Sequence, residues 1–341
     1  MSRRLWFLKT KSLNTPHKQP SPMNPKTTPR LFLAPMEGLG AIEFRKMLAV
    51  IGGFDECCTE FIRIPTNPHI PSLVGKYNPN ATWPIPQAAQ LMGVNAKDLA
   101  EAAYLLGEKG APRVELNCGC PSNTVTGKGA GSSLLDTPDA LFEILALMCQ
   151  KCPVPVTAKL RIGVNDDLNF QKNIRLVEEA GCKMLTLHAR TKSDGYLHPA
   201  RWEYIQEAKK QLRIPVCGNG DITSAEKGLE MLSKTGCDHL MIGRKAASDP
   251  FIFKKIRCAL EKRDFIEDIP LLFKALEVFF QEIFLRESPM GSIKQLGSFL
   301  LSDDPVLRRE FLTRSYSSTL EAKGQLIGSL ENLFFSLSHS K

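Results

Sequence analysis

A short run of the chain, Asn117-Cys118-Gly119-Cys120-Pro121, combines residue types that are suited to proton transfer. Cys120 lies between glycine and proline, a pattern that predicts a fixed turn with an accessible side chain. A thiol can act as a general acid because its pKa lies just above neutral. We therefore predict that Cys120 is a catalytic proton donor, whereas Cys118 belongs to the preceding strand and is expected to be structural.

Other polar residues follow directly after apolar runs. Lys159 emerges from the run Val154–Leu160, and His188 ends the run that starts at Met184. A lysine is rarely buried without a partner, so Lys159 is either an ion-paired residue inside the protein or a contact for an anionic ligand. His188 is in the same way either a satisfied core group or a functional one.

The elements that must position these residues show eight short apolar runs in alternation with helical patterns. The runs are Leu31–Pro35, Phe54–Thr59, Pro86–Leu91, Arg113–Asn117, Val154–Leu160, Met184–His188, Ile214–Gly218 and His239–Ile242. Eight strand-helix units favour a closed (β/α)₈ TIM barrel. An open doubly wound sheet is the alternative, and it is disfavoured because no glycine-rich dinucleotide fingerprint follows the first strand.

The 341 residues divide into three predicted parts. Residues 1–29 are basic and rich in proline and threonine, and we expect a flexible N-terminal extension without a secretory pattern. Residues 30–250 form the barrel. Residues 251–341 are helical with few strand signals, so they predict an all-helical C-terminal domain that serves the substrate.

In such barrels the active groups lie at the carboxyl ends of the strands, which brings Asn117, Lys159 and His188 to one rim and favours a functional role for them. Gly220 and Gly243 follow the seventh and eighth strands, where barrels commonly hold phosphate on backbone N–H groups, and Arg244 adds a cation. The alternative is that the two glycines only close ordinary turns.

Composition limits the classes of partner. A net charge of +8 indicates either a polyanionic substrate or a basic surface without a specific partner.

The ten cysteines lack regular spacing, which favours a reducing cytoplasm. Cys149 and Cys152 have C-x-x-C spacing but no second pair nearby, so no metal is expected. No apolar run is long enough for a membrane span, and a monomer is the default expectation.

Motifs from Leu31 to the C-terminal helices resemble those of the tRNA-dihydrouridine synthases, most closely the bacterial DusC type, the tRNA-dihydrouridine(16) synthases. These motifs are Ala34-Pro35-Met36-Glu37-Gly38, Thr59-Glu60-Phe61-Ile62-Arg63, Leu116-Asn117-Cys118-Gly119-Cys120-Pro121-Ser122, His188-Ala189-Arg190-Thr191-Lys192, Asn219-Gly220-Asp221-Ile222 and Met241-Ile242-Gly243-Arg244. The resemblance implies an FMN-binding barrel and a helical tRNA-binding domain. It also implies NADPH (or NADH) as reductant, hydride transfer to C6 of a D-loop uridine, expected at position 16, and protonation of C5 by Cys120.

The resemblance also implies roles for individual residues. Those expected around FMN are Pro35, Met36, Gln90, Lys159, His188, Asn219, Gly220, Asp221, Gly243 and Arg244. Those expected to contact uridine or tRNA are Arg63, Asn117, Arg161, Lys294 and Gln295. The last two belong to Ser292-Ile293-Lys294-Gln295, where Ser292 replaces the arginine of the DusC-like pattern Arg-Ile-Lys-Gln.

The residues alone are also compatible with two other functions. The first is a flavin-dependent dehydrogenase or reductase of a free pyrimidine, which would leave the basic helical tail unexplained. The second is a non-catalytic RNA-binding protein on a barrel that has lost its activity. Reduction of free uracil would support the first, and a colourless purified protein would support the second.

Overall fold

The computed structural model describes residues 28–121 and 129–338. Apart from its last two residues, the predicted N-terminal extension lies outside the described residues.

Eight parallel strands form a closed barrel in which each strand pairs with the next and β1 pairs with β8. The strands are β1 Leu31–Leu33, β2 Glu56–Arg63, β3 Gln87–Met92, β4 Val114–Cys118, β5 Val156–Arg161, β6 Leu185–His188, β7 Val216–Asn219 and β8 His239–Ile242. The predicted (β/α)₈ barrel is therefore confirmed, and the open sheet is wrong.

The barrel interior is partly polar. Phe32, Cys217 and Met241 form a small apolar cluster inside it, whereas the side chains of Arg113 and Glu115 are also buried there. Alternate residues such as Leu31 and Leu33 belong to the larger core shared with the helices. This alternation is the one that strands impose, since successive side chains point to opposite faces.

Helices cover the outside of the barrel. They are α1 Ile42–Ile51, α2 Ile70–Gly75, α3 Ala96–Glu108, α4 Pro138–Lys151, α5 Phe170–Glu179, α6 Glu203–Gln211, α7 Ala225–Thr235, α8 Lys245–Ser248 and α9 Ile252–Leu260, with a 3₁₀ helix at Gly131–Asp136. Helix α9 packs against α7 and thereby takes the position of the eighth barrel helix. Within the described ranges, no helix has the length and apolarity that crossing a bilayer requires.

Four further helices follow in the described residues, in a part of the chain that the sequence predicts to be helical. They are α10 Ile269–Ile283, α11 Met290–Leu300, α12 Pro305–Thr313 and α13 Thr319–Ser338. Helix α10 packs along α1, and two ion pairs join these regions, Lys46 with Glu282 and Arg286 with Glu43, each at 2.7 Å. Helix α11 contacts α12, α13 and the short helix α8, so it connects the helical part to the rim of the barrel.

Two glycines of α11 offer a test of this packing. A Cβ at Gly297 would collide with the ring of Phe311 in α12, whereas a Cβ at Gly291 would meet nothing within 4 Å. We expect Gly297→Ala to lower the free energy of unfolding by about 1–3 kcal/mol, because overpacking displaces the phenyl ring. Gly291→Ala should leave it unchanged or raise it slightly, because alanine favours the helix. Urea denaturation of both variants measures this, and equal stabilities would contradict the α11–α12 contact.

Candidate active site

The carboxyl ends of the strands open into a cavity of about 740 Å³. All of the residues predicted to surround the cofactor line it, and so do Cys120, Asn117, Arg161 and Gln295. Gln295 and Phe299 reach the cavity from α11, so the barrel rim and the helical part enclose it together. Arg63 and Lys294 are outside this lining.

Cys120 is held in place through its backbone. The N–H groups of Gly119 and Cys120 both donate to Asn117 Oδ1, each at 2.9 Å. Arg161 Nε donates to the Gly119 carbonyl at 2.8 Å. Cys120 is 8% exposed, so its side chain is more buried than the sequence predicts, and its Sγ lies 4.0 Å from Glu37 Oε2. The apolar side chains around it are Phe61, Met92 and Ala130. The structure thus presents a positioned thiol at the cavity wall.

Asn117 is in turn positioned by a chain of buried bonds that runs into the barrel. Its Nδ2 donates to Gln90 Oε1 at 2.9 Å, and Gln90 Nε2 donates to Glu115 Oε1 at 2.8 Å. Glu115 Oε2 accepts from Arg113 Nη1 at 2.9 Å. Arg113 also donates to Glu56 Oε1 at 2.6 Å. We call this series the amide chain; its members are Arg113, Glu115, Gln90 and Asn117.

Lys159 lies half-buried at the cavity wall on β5, with Nζ 3.4 Å from Asn219 Oδ1. Burial lowers the pKa of Lys159, and the nearby Glu115 carboxylate opposes that effect. Asn219 is itself oriented by donation to the Met241 carbonyl at 2.8 Å. A lysine held here provides positive charge for an anionic group in the cavity.

His188 is 8% exposed and surrounded by cations. Burial lowers its pKa far below the ordinary value, and the charges of Lys159, Arg161, Arg190 and Arg244 lower it further. The imidazole is therefore neutral at physiological pH. Its Nε2 lies 3.3 Å from Arg190 Nη1.

Arg190 and Tyr196 are cavity residues that sequence reasoning did not select. Arg190 pairs with Asp221 through two bonds of 2.6 and 2.7 Å, and it is 3% exposed. Tyr196 lies in the loop after β6, and the Arg244 guanidinium is 3.7 Å from its ring centroid. In the sequence, Arg190 is marked only by its position two residues after His188, the last residue of β6.

Gly220 illustrates why glycine is needed at the rim. Its φ is +119°, and a Cβ there would lie 3.0 Å from Ala200 Cβ and 3.2 Å from His188 Cδ2. Gly243 is adjacent to Met36, whose Sδ would be 3.4 Å from an added Cβ. A side chain at Gly220 would thus crowd His188, so the glycine keeps the backbone close to the cavity.

Two predicted tRNA contacts lie elsewhere. Lys294 Nζ donates to the carbonyls of Leu312 at 3.0 Å and Arg314 at 3.1 Å, at the end of α12. Arg63 is half-buried at the end of β2. Their roles in binding tRNA stay predictions. In the described part of the chain, no cluster of histidine, cysteine or acidic residues has metal-binding geometry.

Comparisons of this chain with a family model and with known proteins agree on one family. The family model described as dihydrouridine synthase (Dus) matches residues 32–306. A tRNA-dihydrouridine(16) synthase of Neisseria meningitidis serogroup A is 34% identical over 300 residues, which cover 83% of this chain and 89% of the relative. One of Shewanella oneidensis is 36% identical and covers 86% and 95%. The solved structure of a 2-naphthoyl-CoA reductase complex is similar in fold alone, with 14% identity, a TM-score of 0.52, and coverage of 69% of this chain and 50% of the reductase.

The depressed pKa of His188 predicts a pH dependence of stability. The unfolded chain binds a proton at this residue below about pH 6.5, whereas the folded protein does not. The free energy of unfolding should therefore fall as the pH drops below that value, with a contribution of up to about 1.4 kcal/mol per pH unit. His188→Asn should make the decline between pH 7.5 and 5.5 shallower in urea denaturation. An unchanged slope would mean that His188 titrates in the folded protein as it does in the unfolded chain.

Proposed function

Because this chain belongs to the dihydrouridine synthase family, we propose that it reduces the 5,6 double bond of a uridine in the D-loop of tRNA, at position 16. We propose FMN as the bound flavin, NADPH (or NADH) as the reductant and Cys120 as the proton donor. The observation that carries the proposal is the Cys120 thiol, fixed by Asn117 at the wall of a cavity that also contains Lys159, His188 and Arg244.

The cavity suits a flavin mononucleotide. Gly220 and Gly243 line the cavity after β7 and β8, and Arg244 would supply a cation there for the phosphate. Lys159 and the neutral His188 would contact the ring system. The other residues that would hold the flavin are Pro35, Met36, Gln90, Asn219 and Asp221. When bound, the flavin supplies the hydride that is transferred to C6 of uracil.

The protein's own residues would complete the reduction. Cys120 would donate its proton to C5, and the thiolate would then recover a proton from solvent. The Cys120 thiol is directed at the Glu37 carboxylate, with an Sγ–Oε2 distance of 4.0 Å. Arg161 keeps the loop in position through the Gly119 carbonyl, and Asn117 does so through two backbone amides.

The substrate is proposed to be tRNA rather than a free pyrimidine. Gln295 and Phe299 bring α11 to the cavity, which a small substrate held by the barrel alone would not require. The target base would have to leave its stack to reach Cys120. We propose position 16 because relatives of this chain in two bacteria are tRNA-dihydrouridine(16) synthases.

We propose that the C-terminal helices, with Arg63, Lys294 and Gln295, bind the tRNA. The sequence predicts a boundary at residue 250 between these helices and the FMN-binding barrel. Because α9 packs on α7, we propose that the boundary lies after Leu260 instead. We propose that the protein acts as a monomer in the cytoplasm.

Replacement of Cys120 tests the central assignment. We expect Cys120→Ala to retain bound flavin and NADPH oxidation, because neither needs the thiol proton. It should lose most reduction of tRNA, by about 10²–10⁴-fold, which is the usual range for a lost general acid. The measurements are the flavin absorbance, NADPH consumption and dihydrouridine in nuclease digests of tRNA by mass spectrometry.

Cys118→Ala is the matched control, since Cys118 is fully buried on β4 and burial raises the pKa of its thiol far above the usual range. It should retain tRNA reduction. A Cys120→Ala protein that reduces tRNA normally would overturn the role of Cys120. Loss of flavin from that variant would instead indicate a cofactor contact.

A further inference from the structure

Within the amide chain, Gln90 meets a group that can only accept hydrogen bonds, the Glu115 carboxylate. Glu115 is fully buried, and its Oε2 accepts from Arg113 Nη1 at 2.9 Å. Its Oε1 accepts from Gln90 Nε2 at 2.8 Å and from the Cys58 thiol at 3.9 Å. Because a carboxylate paired with a guanidinium has no proton to donate, Gln90 must turn its NH₂ group toward Glu115.

On the side of the loop, Asn117 meets groups that can only donate hydrogen bonds. The backbone N–H groups of Gly119 and Cys120 both point at Asn117 Oδ1, each at 2.9 Å. A backbone N–H has no accepting atom, so the carbonyl of Asn117 must face the loop. These two bonds use both lone pairs of Oδ1.

The middle bond agrees with both ends. Asn117 Nδ2 donates to Gln90 Oε1 at 2.9 Å. If the side-chain amide of Gln90 or Asn117 were rotated by 180°, N–H would face N–H at one of its contacts and oxygen would face oxygen at the other. The orientation of an amide is usually assigned from its hydrogen-bond network, and here the network allows a single orientation for each of the two.

The fixed orientation of the Asn117 amide determines which of its groups faces a ligand in the cavity. Asn117 lines the cavity, and its carbonyl oxygen is already saturated by the loop. With one Nδ2 hydrogen directed to Gln90, the group that Asn117 can offer a ligand is the second N–H. An N–H recognises an oxygen acceptor and is mismatched with an amino group.

Asn117 lies beside the proposed proton donor. Its side chain bonds directly to the backbone of Cys120, the residue proposed to protonate C5. On a pyrimidine ring the substituent at C4 is next to C5, whereas the C2 oxygen is across the ring. A ring with its C5 at Cys120 would therefore bring its C4 substituent near Asn117. That substituent is a carbonyl oxygen in uracil and an amino group in cytosine.

We propose that the amide chain makes Asn117 a donor-only contact for the C4 position, so that the site selects uridine over cytidine. The inference rests on the proposed function and deepens it, with Glu115 and Gln90 as positioning residues. A site built to hydrogen-bond a substrate group rejects analogues without it strongly, so we expect a preference of roughly a hundredfold or more.

The first experiment uses the unmodified protein. The flavin-loaded protein is reduced without oxygen and mixed with tRNA transcripts that carry uridine, 4-thiouridine or 2-thiouridine at the target position, and flavin reoxidation is followed. Sulfur accepts hydrogen bonds more weakly than oxygen, so 4-thiouridine should slow the reaction at least about tenfold, on the order of one hydrogen bond. The matched control, 2-thiouridine, should react nearly as uridine does. Greater slowing by 2-thiouridine would overturn the inference.

The second experiment reverses the polarity. Asn117→Asp alone leaves an acceptor facing Gln90 Oε1, so it should impair uridine reduction. In the double variant Asn117→Asp with Glu115→Gln, the new amide at position 115 can donate to Gln90 Oε1. Gln90 Nε2 can then donate to the new carboxylate. The buried charge is unchanged in total, and every bond of the chain can again form.

The double variant should recover flavin content and thermal stability relative to Asn117→Asp. Its ratio of uridine to cytidine reoxidation rates should fall at least about tenfold below that of the unmodified protein, a loss on the order of one hydrogen bond that folding alone would not produce. A folded, flavin-loaded double variant with an unchanged ratio would overturn the inference. Failure of the unmodified protein to be reoxidised by any tRNA would instead overturn the proposed function.

Discussion

The buried guanidinium of Arg113 is the constraint on which the interior of the barrel depends. It donates to Glu56 Oε1 at 2.6 Å, to Glu115 Oε2 at 2.9 Å and to Thr157 Oγ1 at 2.7 Å. Burial works against its charge, but Glu115 and Glu56 raise the pKa of Arg113 above its ordinary value. Because removal of both carboxylates would leave a buried charge uncompensated, the guanidinium and its acidic partners have to occur as a set.

This ionic group determines the arrangement of the rim above it. With Glu115 oriented by Arg113, Gln90 has one amide orientation, and Asn117 follows from Gln90 and the loop. The position of the Cys120 thiol is therefore a consequence of buried bonds from β3 and β4, as much as of the glycine and proline that flank it. Such a supporting shell is what a site needs for precise geometry.

The helical part is attached to the same rim. Helix α1 begins shortly after Met36 and Glu37, and it is joined to the α10 region by the pairs Lys46–Glu282 and Arg286–Glu43. Burial raises the pKa of Glu43, and the charge of Arg286 opposes that rise. The cavity wall contributed by α11 is thus held against the barrel by contacts on two sides, α1 with α10 and α8 with α11.

The sequence by itself was sufficient for the barrel and for many of the polar residues that line the cavity. Eight apolar runs in alternation with helical patterns specify parallel strands, and residues that follow such strands must meet at one rim. This is why Asn117, Lys159 and His188 could be grouped from the sequence. The motif around Cys120 predicted a thiol held in a turn, since a turn is encoded by adjacent residues.

Only the tertiary structure decided which polar groups contact each other. The bond between Gln90 and Glu115 depends on the register of β3 against β4, where these two residues are paired, and an apolar pattern does not specify register between polar positions. The same holds for Arg190, which reaches Asp221 across two loops, and for Lys294, which folds back onto the end of α12. Side chains are brought together by strand pairing and helix packing, and those long-range contacts leave no signature in local spacing.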